Sequence, residues 1–281
     1  MRIILSRKGV DSGNSNASNL VLLDSYFNGE MVMLPIPNLA DKFTYKDVQF
    51  SKGNDCFVKN YLQERKIDLN TKCHLDPMLI NYFDNPSFLG AIGQVGASQT
   101  HLEKQKIKKG DLFIFFGKFE SKMILKNKVD TISKKDHIMF GYLQIGEIIY
   151  PNSRDKEKRP FFEKKYPWIK NHPHWNFEKY KNSTNNCIYI ANEKCSFDKN
   201  IKGYGVFDFS KDLILTKSGK SISKWNIIEP LKNLEISYHT LASFKQDYFQ
   251  SAAHGQEFVI EESSSAENWA IDLIKNNVKK K

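Results

Sequence analysis

Four short stretches of this 281-residue chain carry residue types that could act on a phosphate-bearing ligand. The first is SRKGVDS at 6–12, where Ser6, Arg7, Lys8, Asp11 and Ser12 set two cations, a carboxylate and two hydroxyls around Gly9. A loop of this kind can hold an anion through Arg7, Lys8 and backbone N–H groups, and Arg supplies a planar fork that Lys cannot copy. An ordinary turn with an exposed basic pair has the same composition. The G-x-x-x-x-G-K-[ST] spacing of a Walker loop is absent. The second stretch is GQVGASQTH at 93–101. Gln94, Gln99 and His101 bring donors and acceptors together, which suits reading the edge of a base or, equally, satisfying backbone groups at a helix mouth. Its glycines lack the G-x-G-x-x-G order, so a dinucleotide fingerprint is excluded.

The third stretch is HPH at 172–174. Imidazoles at i and i+2 of an extended segment point the same way. They would make half of a zinc or iron site, with a third ligand from Asp76, His101, His137 or His239. No H-E-x-x-H and no Cys/His quartet accompanies them. Trp168 and Trp175 fit a packed structural turn as well, so no metal is assigned, and His172 and His174 stand as the candidates. The fourth group is late in the chain, at Tyr238-His239 and Gly255-Gln256-Glu257. Glu257 opens an apparent strand and would serve as a general base or ribose ligand if it faced the same cavity as Arg7; otherwise it makes a salt bridge at a strand edge. A nucleophile elbow and paired catalytic carboxylates are missing.

Positioning these groups requires a sheet. Residues 2–6 read as a short buried strand that opens into the polar loop 11–19, and 31–36 as a second strand stopped by Pro35 and Pro37. Phe57, Val58, Tyr61 and Leu62 predict an amphipathic helix over 55–66, and a shorter helix is expected over 98–105. Residues 111–119 and 137–149 are near-continuous aromatic and β-branched runs, as in strands covered on both faces. The basic segment 120–136 between them reads as a hairpin-like connection. A long polar excursion at about 150–185 precedes strands near 187–191, 205–209, 212–216 and 256–261. A final helix starts near 265, with capping-box spacing between Ser264 and Glu267 and an apolar stripe through Ala266, Trp269, Ala270, Leu273 and Ile274. Its terminal lysines complement the helix dipole. The expected fold is α+β: one domain over 1–281, with a curved, mostly antiparallel, barrel-like central sheet and peripheral helices.

Composition narrows the class. Hydrophobic residues make up 40% and charged residues 26%, which is enough apolar material for a core and excludes a disordered chain. The apolar run 138–146 is too short to span a bilayer, and no secretory apolar region follows Met1. The four cysteines show no C-x-x-C spacing, so a reducing, cytoplasmic setting is expected. The net charge is +10, and residues 104–170 carry 17 basic against 8 acidic groups, nearly all of the excess. That concentration suits steering toward phosphates, although solvated basic faces are common.

The segments ILSRKGVDS (4–12), LPIP (34–37), HLDP (74–77), GQVGASQTHL (93–102), KKGDLFIFFGKF (108–119), HIMFGYLQIGE (137–147), HPH (172–174), SYH (237–239) and GQEFV (255–259) occur in this order. Together they resemble the nucleotide modification associated domain family, third type, across essentially the whole chain. The resemblance implies a role beside enzymes that modify bases or nucleotides in phages and bacterial conflict systems. The central strands are also similar to PUA-like modules, which take a base into an aromatic-lined cleft. Phe115, Phe116, Tyr142, Trp168 and Trp175 would then stack on it and Gln94, Gln99 or Gln144 would read its edge, unless those aromatics are simply core.

The reading that follows is a protein acting on a nucleotide or nucleic acid, with a phosphate clamp of Ser6, Arg7 and Lys8 and a base pocket including Gln94, Gln99 and Gln256. Asp11, His101, His239 and Glu257 are the acid–base candidates. If it is catalytic, the reaction would lie at a glycosidic bond or phosphoester. A non-catalytic reader of modified bases and a scaffold subunit of a defence system, docking through 150–185, are the alternatives. No membrane partner is expected, a protein partner fits the scaffold alternative, and the sequence names no cofactor.

Overall fold

The computed structural model describes residues 1–10, 13, 15–26, 28–125, 128–131, 135–176, 178–253 and 255–278. Two long strands, β7 (Leu112–Leu125) and β9 (Asp136–Ile149), organise everything else, and the elements before and after them attach along their lengths. Upstream lie β1 (Ile3–Arg7), β2 (Asn19–Leu23), β3 (Gly29–Val32), β4 (Ile36–Pro37), α1 (Asp55–Glu64), β5 (Cys73–His74), β6 (Ala91–Gln94) and α2 (Gly96–Lys104); β8 (Lys128–Thr131) returns along β7 as the expected hairpin. Downstream come the short helices α3 (Arg159–Lys165) and α4 (Pro173–Asn176), then β10 (Cys187–Ala191), β11 (Lys194–Cys195), β12 (Asp198–Lys202), β13 (Tyr204–Val206), β14 (Lys224–Trp225), β15 (Phe249–Gln250), β16 (Glu257–Ile260) and α5 (Ser264–Asn277).

The main sheet runs β16-β1-β7-β9-β10-β6, with β2, β3, β8 and β13 attached off this path. Most pairings are antiparallel, but β1 and β2 both run parallel to β7, one after the other along its length. The fold is α+β, with a curled, mixed half-barrel sheet and a few helices in a single body. Phe113, Ile114, Phe115 and Phe116 are all fully buried. Strand side chains alternate between faces, so β7 is covered on both sides, as its unbroken apolar run requires. Phe115, Phe116, Tyr142, Trp168 and Trp175 are at most 2% exposed and belong to the core, so none of them is a stacking platform for a ligand. Gln144 is equally buried and bonds the Gly110 carbonyl and Ser196 Oγ.

Some local expectations shift. The α5 cap is Ser263, which accepts from Ser265 N, one residue earlier than the expected box. Glu267 instead meets the terminal ammonium of Met1 at 3.1 Å. The strand expected over 205–209 ends at Val206, because Asp208 N turns aside to the Asn277 carbonyl. In place of a strand over 212–216 there is a 3-10 turn, Lys211–Leu213, followed by isolated bridges at Ile214 and Thr216. The terminal lysines 279–281 and the Asp11 and Ser12 of the first loop lie outside the described residues. No helix among the described residues is long and apolar enough to cross a membrane.

Candidate functional site

One cleft gathers the first loop, the β6–α2 turn and the excursion. Its volume is about 420 Å³, within the range of small-molecule sites. Arg7, Lys8 and Gly9 line one wall, Gln94, Val95 and Ser98 a second, and His74, Asp76, His174 and Tyr180 a third; Gln256 closes the rim. Gly9 turns the chain out of β1 with φ +80°, a conformation few side chains tolerate, and any Cβ there would strike the Asn19 amide at 2.7 Å.

Arg7 donates from Nη1 to the Ala253 carbonyl at 3.1 Å and from Nη2 to the Ala252 carbonyl at 3.0 Å. Its guanidinium sits over Phe116 and Phe258, 5.6 and 5.8 Å from their ring centres. Lys8 pairs with Glu257 at 2.8 Å, their side chains being 8% and 1% exposed. Gln94 donates to the same Glu257 oxygen, while Glu257 Oε2 and the neighbouring Ser6 Oγ are buried with no hydrogen-bond partner among the described residues. Glu257 stands directly opposite Ser6 across the β1–β16 ladder, so both face the same side. Lys8 therefore reaches the cleft with its charge already matched by Glu257, while Arg7 is seated on the Ala252 and Ala253 carbonyls.

The mouth of α2 also opens here. Val95 is its N-cap and cannot cap with a side chain, and no acidic residue occupies the first turn. Helix N-termini carry partial positive charge and unfilled N–H groups, which favour anions. Gly96 N finds Asn185 Oδ1 at 3.2 Å.

The third wall comes from β5 and the excursion. His74 Nδ1 meets Asp41 Oδ2 at 2.7 Å, and His174 Nδ1 meets Asn186 Oδ1 at 2.7 Å. Asp76 Oδ1 accepts from Gly93 N at 2.7 Å and lies 3.4 Å from His172 Nε2. Burial would raise the Asp76 carboxyl, but the His172 contact and the facing imidazoles outweigh it and hold Asp76 well below the usual carboxylate range. Burial pushes His174 down to about 3, so this imidazole is neutral. One ligand atom from each of His74, Asp76 and His174 lies within 4.8 Å of the others, a grouping able to hold a metal ion. Gly93 makes the packing possible: a Cβ there would sit 2.1 Å from the His174 ring. The excursion is itself pinned to the body. Trp168 Nε1 donates to Ser87 O, and within the excursion Arg159 donates twice to the Trp175 carbonyl at 3.0 Å and stacks on that indole.

The structure thus brings together Arg7, Lys8, Gln94, Gln256 and, behind Lys8, Glu257 and Ser6. It takes other candidates elsewhere. Gln99 is fully buried, donating to Tyr150 Oη and accepting from Tyr189 Oη. His101 turns to Ser237 Oγ at 2.9 Å and packs on Tyr238. His239 uses both nitrogens on backbone: Nδ1–H to Ser237 O, and Nε2 accepting from Ala252 N. Burial lowers the pKa of both. His239 lines a separate cavity of about 460 Å³, yet it reaches the cleft indirectly, because Ala252 is one of the carbonyls that seat Arg7. His172 is 1% exposed and stands behind Asp76. Asp11 lies outside the described residues. The sequence reading missed His74, Asp41, Asn186 and Tyr180. The available signal was HLD at 74–76, a second i, i+2 pair of ligand-type residues matching HPH.

No curated protein and no solved structure shows significant similarity to this chain. A protein-family model does, matching residues 2–261, nearly the whole chain. The chain therefore belongs to the family described as nucleotide modification associated domain 3, and with it to proteins associated with nucleotide modification.

Proposed function

We propose that the cleft binds a nucleotide, free or within a nucleic acid, with a phosphate held between Arg7 and the N-terminal turn of α2. The observation that carries this reading is the pairing of an Arg, seated on two aromatic rings, with a helix N-terminus whose N-cap residue, Val95, offers no side-chain cap and whose first turn holds no acidic residue. Both attract an anion, and the helix mouth supplies backbone donors in a fixed geometry. The amide of Gln256 and the ring of Tyr180, which stacks on His174 at 4.6 Å, stand where a base could be read and covered.

Ser98→Glu tests it. A carboxylate in the first turn favours the helix dipole by about 0.3–1 kcal/mol, so the protein should melt no lower than the wild type. The same carboxylate repels a phosphate about 6 Å away by about 3 kcal/mol at an effective dielectric near 20, or roughly a hundredfold in affinity. Calorimetric titration with nucleoside mono-, di- and triphosphates and with short oligonucleotides should show that loss, and Arg7→Gln should show a comparable one. Binding that survives both substitutions, or no binding by the wild type, refutes the reading.

A further inference from the structure

We infer that His74, Asp76 and His174 form a binding site for one divalent transition-metal ion of the zinc class, facing the cleft. Two imidazoles and one carboxylate are a donor set suited to Zn²⁺ and its neighbours, and poor for Mg²⁺ or Ca²⁺, which take oxygen ligands. The three donors already lie within 4.8 Å of one another. A tetrahedral ion at about 2.1 Å from each would want them about 3.4 Å apart, a closure within the reach of small side-chain rotations.

The surroundings are those a metal site needs. Each imidazole has its Nδ1 engaged by an oxygen, Asp41 for His74 and Asn186 for His174, which fixes the ring as an outer-shell partner of a metal-binding histidine would. The Asp76 carboxylate is oriented through one oxygen, Oδ1, by Gly93 N and by the approach of His172. His172 Nδ1 accepts from His174 N, so its Nε2 carries the proton and faces Asp76 from behind. That Nε2 is buried and makes no hydrogen bond of good geometry among the described residues. The substituent-free face of Gly93 leaves the volume the His174 ring occupies. Because these three residues line the same cleft as Tyr180 and Arg7, a bound ion would present its remaining coordination positions to the cleft, where a phosphate or a water could take them.

The inference rests on the nucleotide-cleft reading only for what the open positions face, so the test uses metal alone. Full-length protein stripped with EDTA is titrated with Zn²⁺ by calorimetry and with Co²⁺ by visible absorption, nucleotide being absent. The expected result is one ion per chain with a dissociation constant on the order of 10 µM or tighter. His74→Gln and Asp76→Asn should abolish it, and Asp41→Asn, which keeps all three donors, should weaken it about 10- to 100-fold. Melting in EDTA checks the fold of each variant; should His74→Gln or Asp76→Asn fail to fold, Asp41→Asn decides. Binding weaker than about 1 mM, a stoichiometry other than one, or an affinity unmoved by Asp41→Asn overturns the site. Metal binding without nucleotide binding sinks the proposed function and leaves the metal site standing; the converse does the opposite.

Discussion

Lys8 and Glu257 form the most consequential ion pair in the cleft wall, and removing one partner at a time should expose what it contributes. The pair is 2.8 Å long and nearly dry, with side chains 8% and 1% exposed. Deleting one member of such a pair costs about 3–5 kcal/mol, because the other charge stays buried without compensation. Lys8→Met keeps the length of the stem and removes only the charge, leaving Glu257 with the Gln94 amide alone. Glu257→Gln keeps an acceptor for Gln94 and strands the Lys8 ammonium, which can escape partway along its own stem, so its cost should be smaller, about 2 kcal/mol. The double variant has no buried charge left and should recover about 2–3 kcal/mol relative to the sum of the singles. A chain of this size loses roughly 2 °C of melting temperature per kcal/mol, so Lys8→Met should melt about 6–10 °C low and the double variant several degrees higher than additivity allows. Urea melts of all four proteins give the free energies directly. A Lys8→Met cost under about 1 kcal/mol, or simple additivity, would show that the pair is solvated and that the stated geometry of the cleft wall is wrong.

Gly93→Ala adds one methyl group where the His174 ring sits 2.1 Å from the new carbon; overpacking of this kind costs about 1–3 kcal/mol. Because the ring must shift, both nucleotide and Zn²⁺ affinity should fall more than stability, whereas equal affinity in wild type and variant would show that His174 takes no part in either site. His137 gives a pH signature. Burial pushes it down to about 3, and Trp225 Nε1 donates to its Nδ1, a bond only the neutral ring accepts. Its unfolded value is near 6.5, so between pH 6.5 and about 3 the unfolded chain binds a proton that the folded chain does not. Stability should therefore fall as the pH is lowered through that window, by up to about 1.4 kcal/mol per pH unit from this residue. His137→Gln should flatten the slope of stability against pH by that amount in urea melts at pH 4.0–6.0, and an unchanged slope would mean that the ring titrates normally.

The parts of the fold that the sequence announced are those where one physical signal dominates. Unbroken apolar runs at 111–119 and 137–149 could only be strands buried on both faces, and they are β7 and β9. The stripe through Val58, Tyr61 and Leu62 marks the buried face of α1. Elements stabilised by distant partners were less legible. Nothing local says that β1 and β2 run parallel to β7, or that Ser263 rather than Ser264 caps α5. The candidate site divides in the same way. Arg7 ends β1 and Lys8 follows it, so both were bound to flank whatever forms at that strand end. Gln99 and His101 have the composition of readers, but α2 aims one at Tyr150 and Tyr189 beneath it and the other at Ser237. Spacing along a helix shows which residues share a face, and only tertiary packing shows which face meets the cleft. His74 escaped notice because H-x-D gains meaning only when a second pair, 98 residues later, is folded against it.

The excess positive charge and the cleft answer different questions. Residues 104–170 hold most of the surplus, yet many of these cations have partners: Lys122 with Glu120, Arg154 with Glu103, Lys158 with Asp155, Lys165 with Glu147 and Lys170 with Glu163. Apart from the largely buried Lys122–Glu120 pair, these are surface pairs that contribute little to stability, and beyond about 8 Å their fields are screened at physiological ionic strength. Their surplus can raise the rate at which a polyanion meets this face, but it cannot fix where a phosphate comes to rest. Placement needs donors held in one geometry, and in the proposed reading the cleft would supply them through Arg7, seated over Phe116 and Phe258, and through the start of α2. Neutralising surface lysines in 104–170 should therefore lower the association rate and its salt dependence, while Arg7→Gln should act on dissociation. Two perturbations of the same net charge would then leave separate kinetic traces. Equal effects of both on the dissociation rate would mean that the anion is held by the diffuse field and not by the cleft.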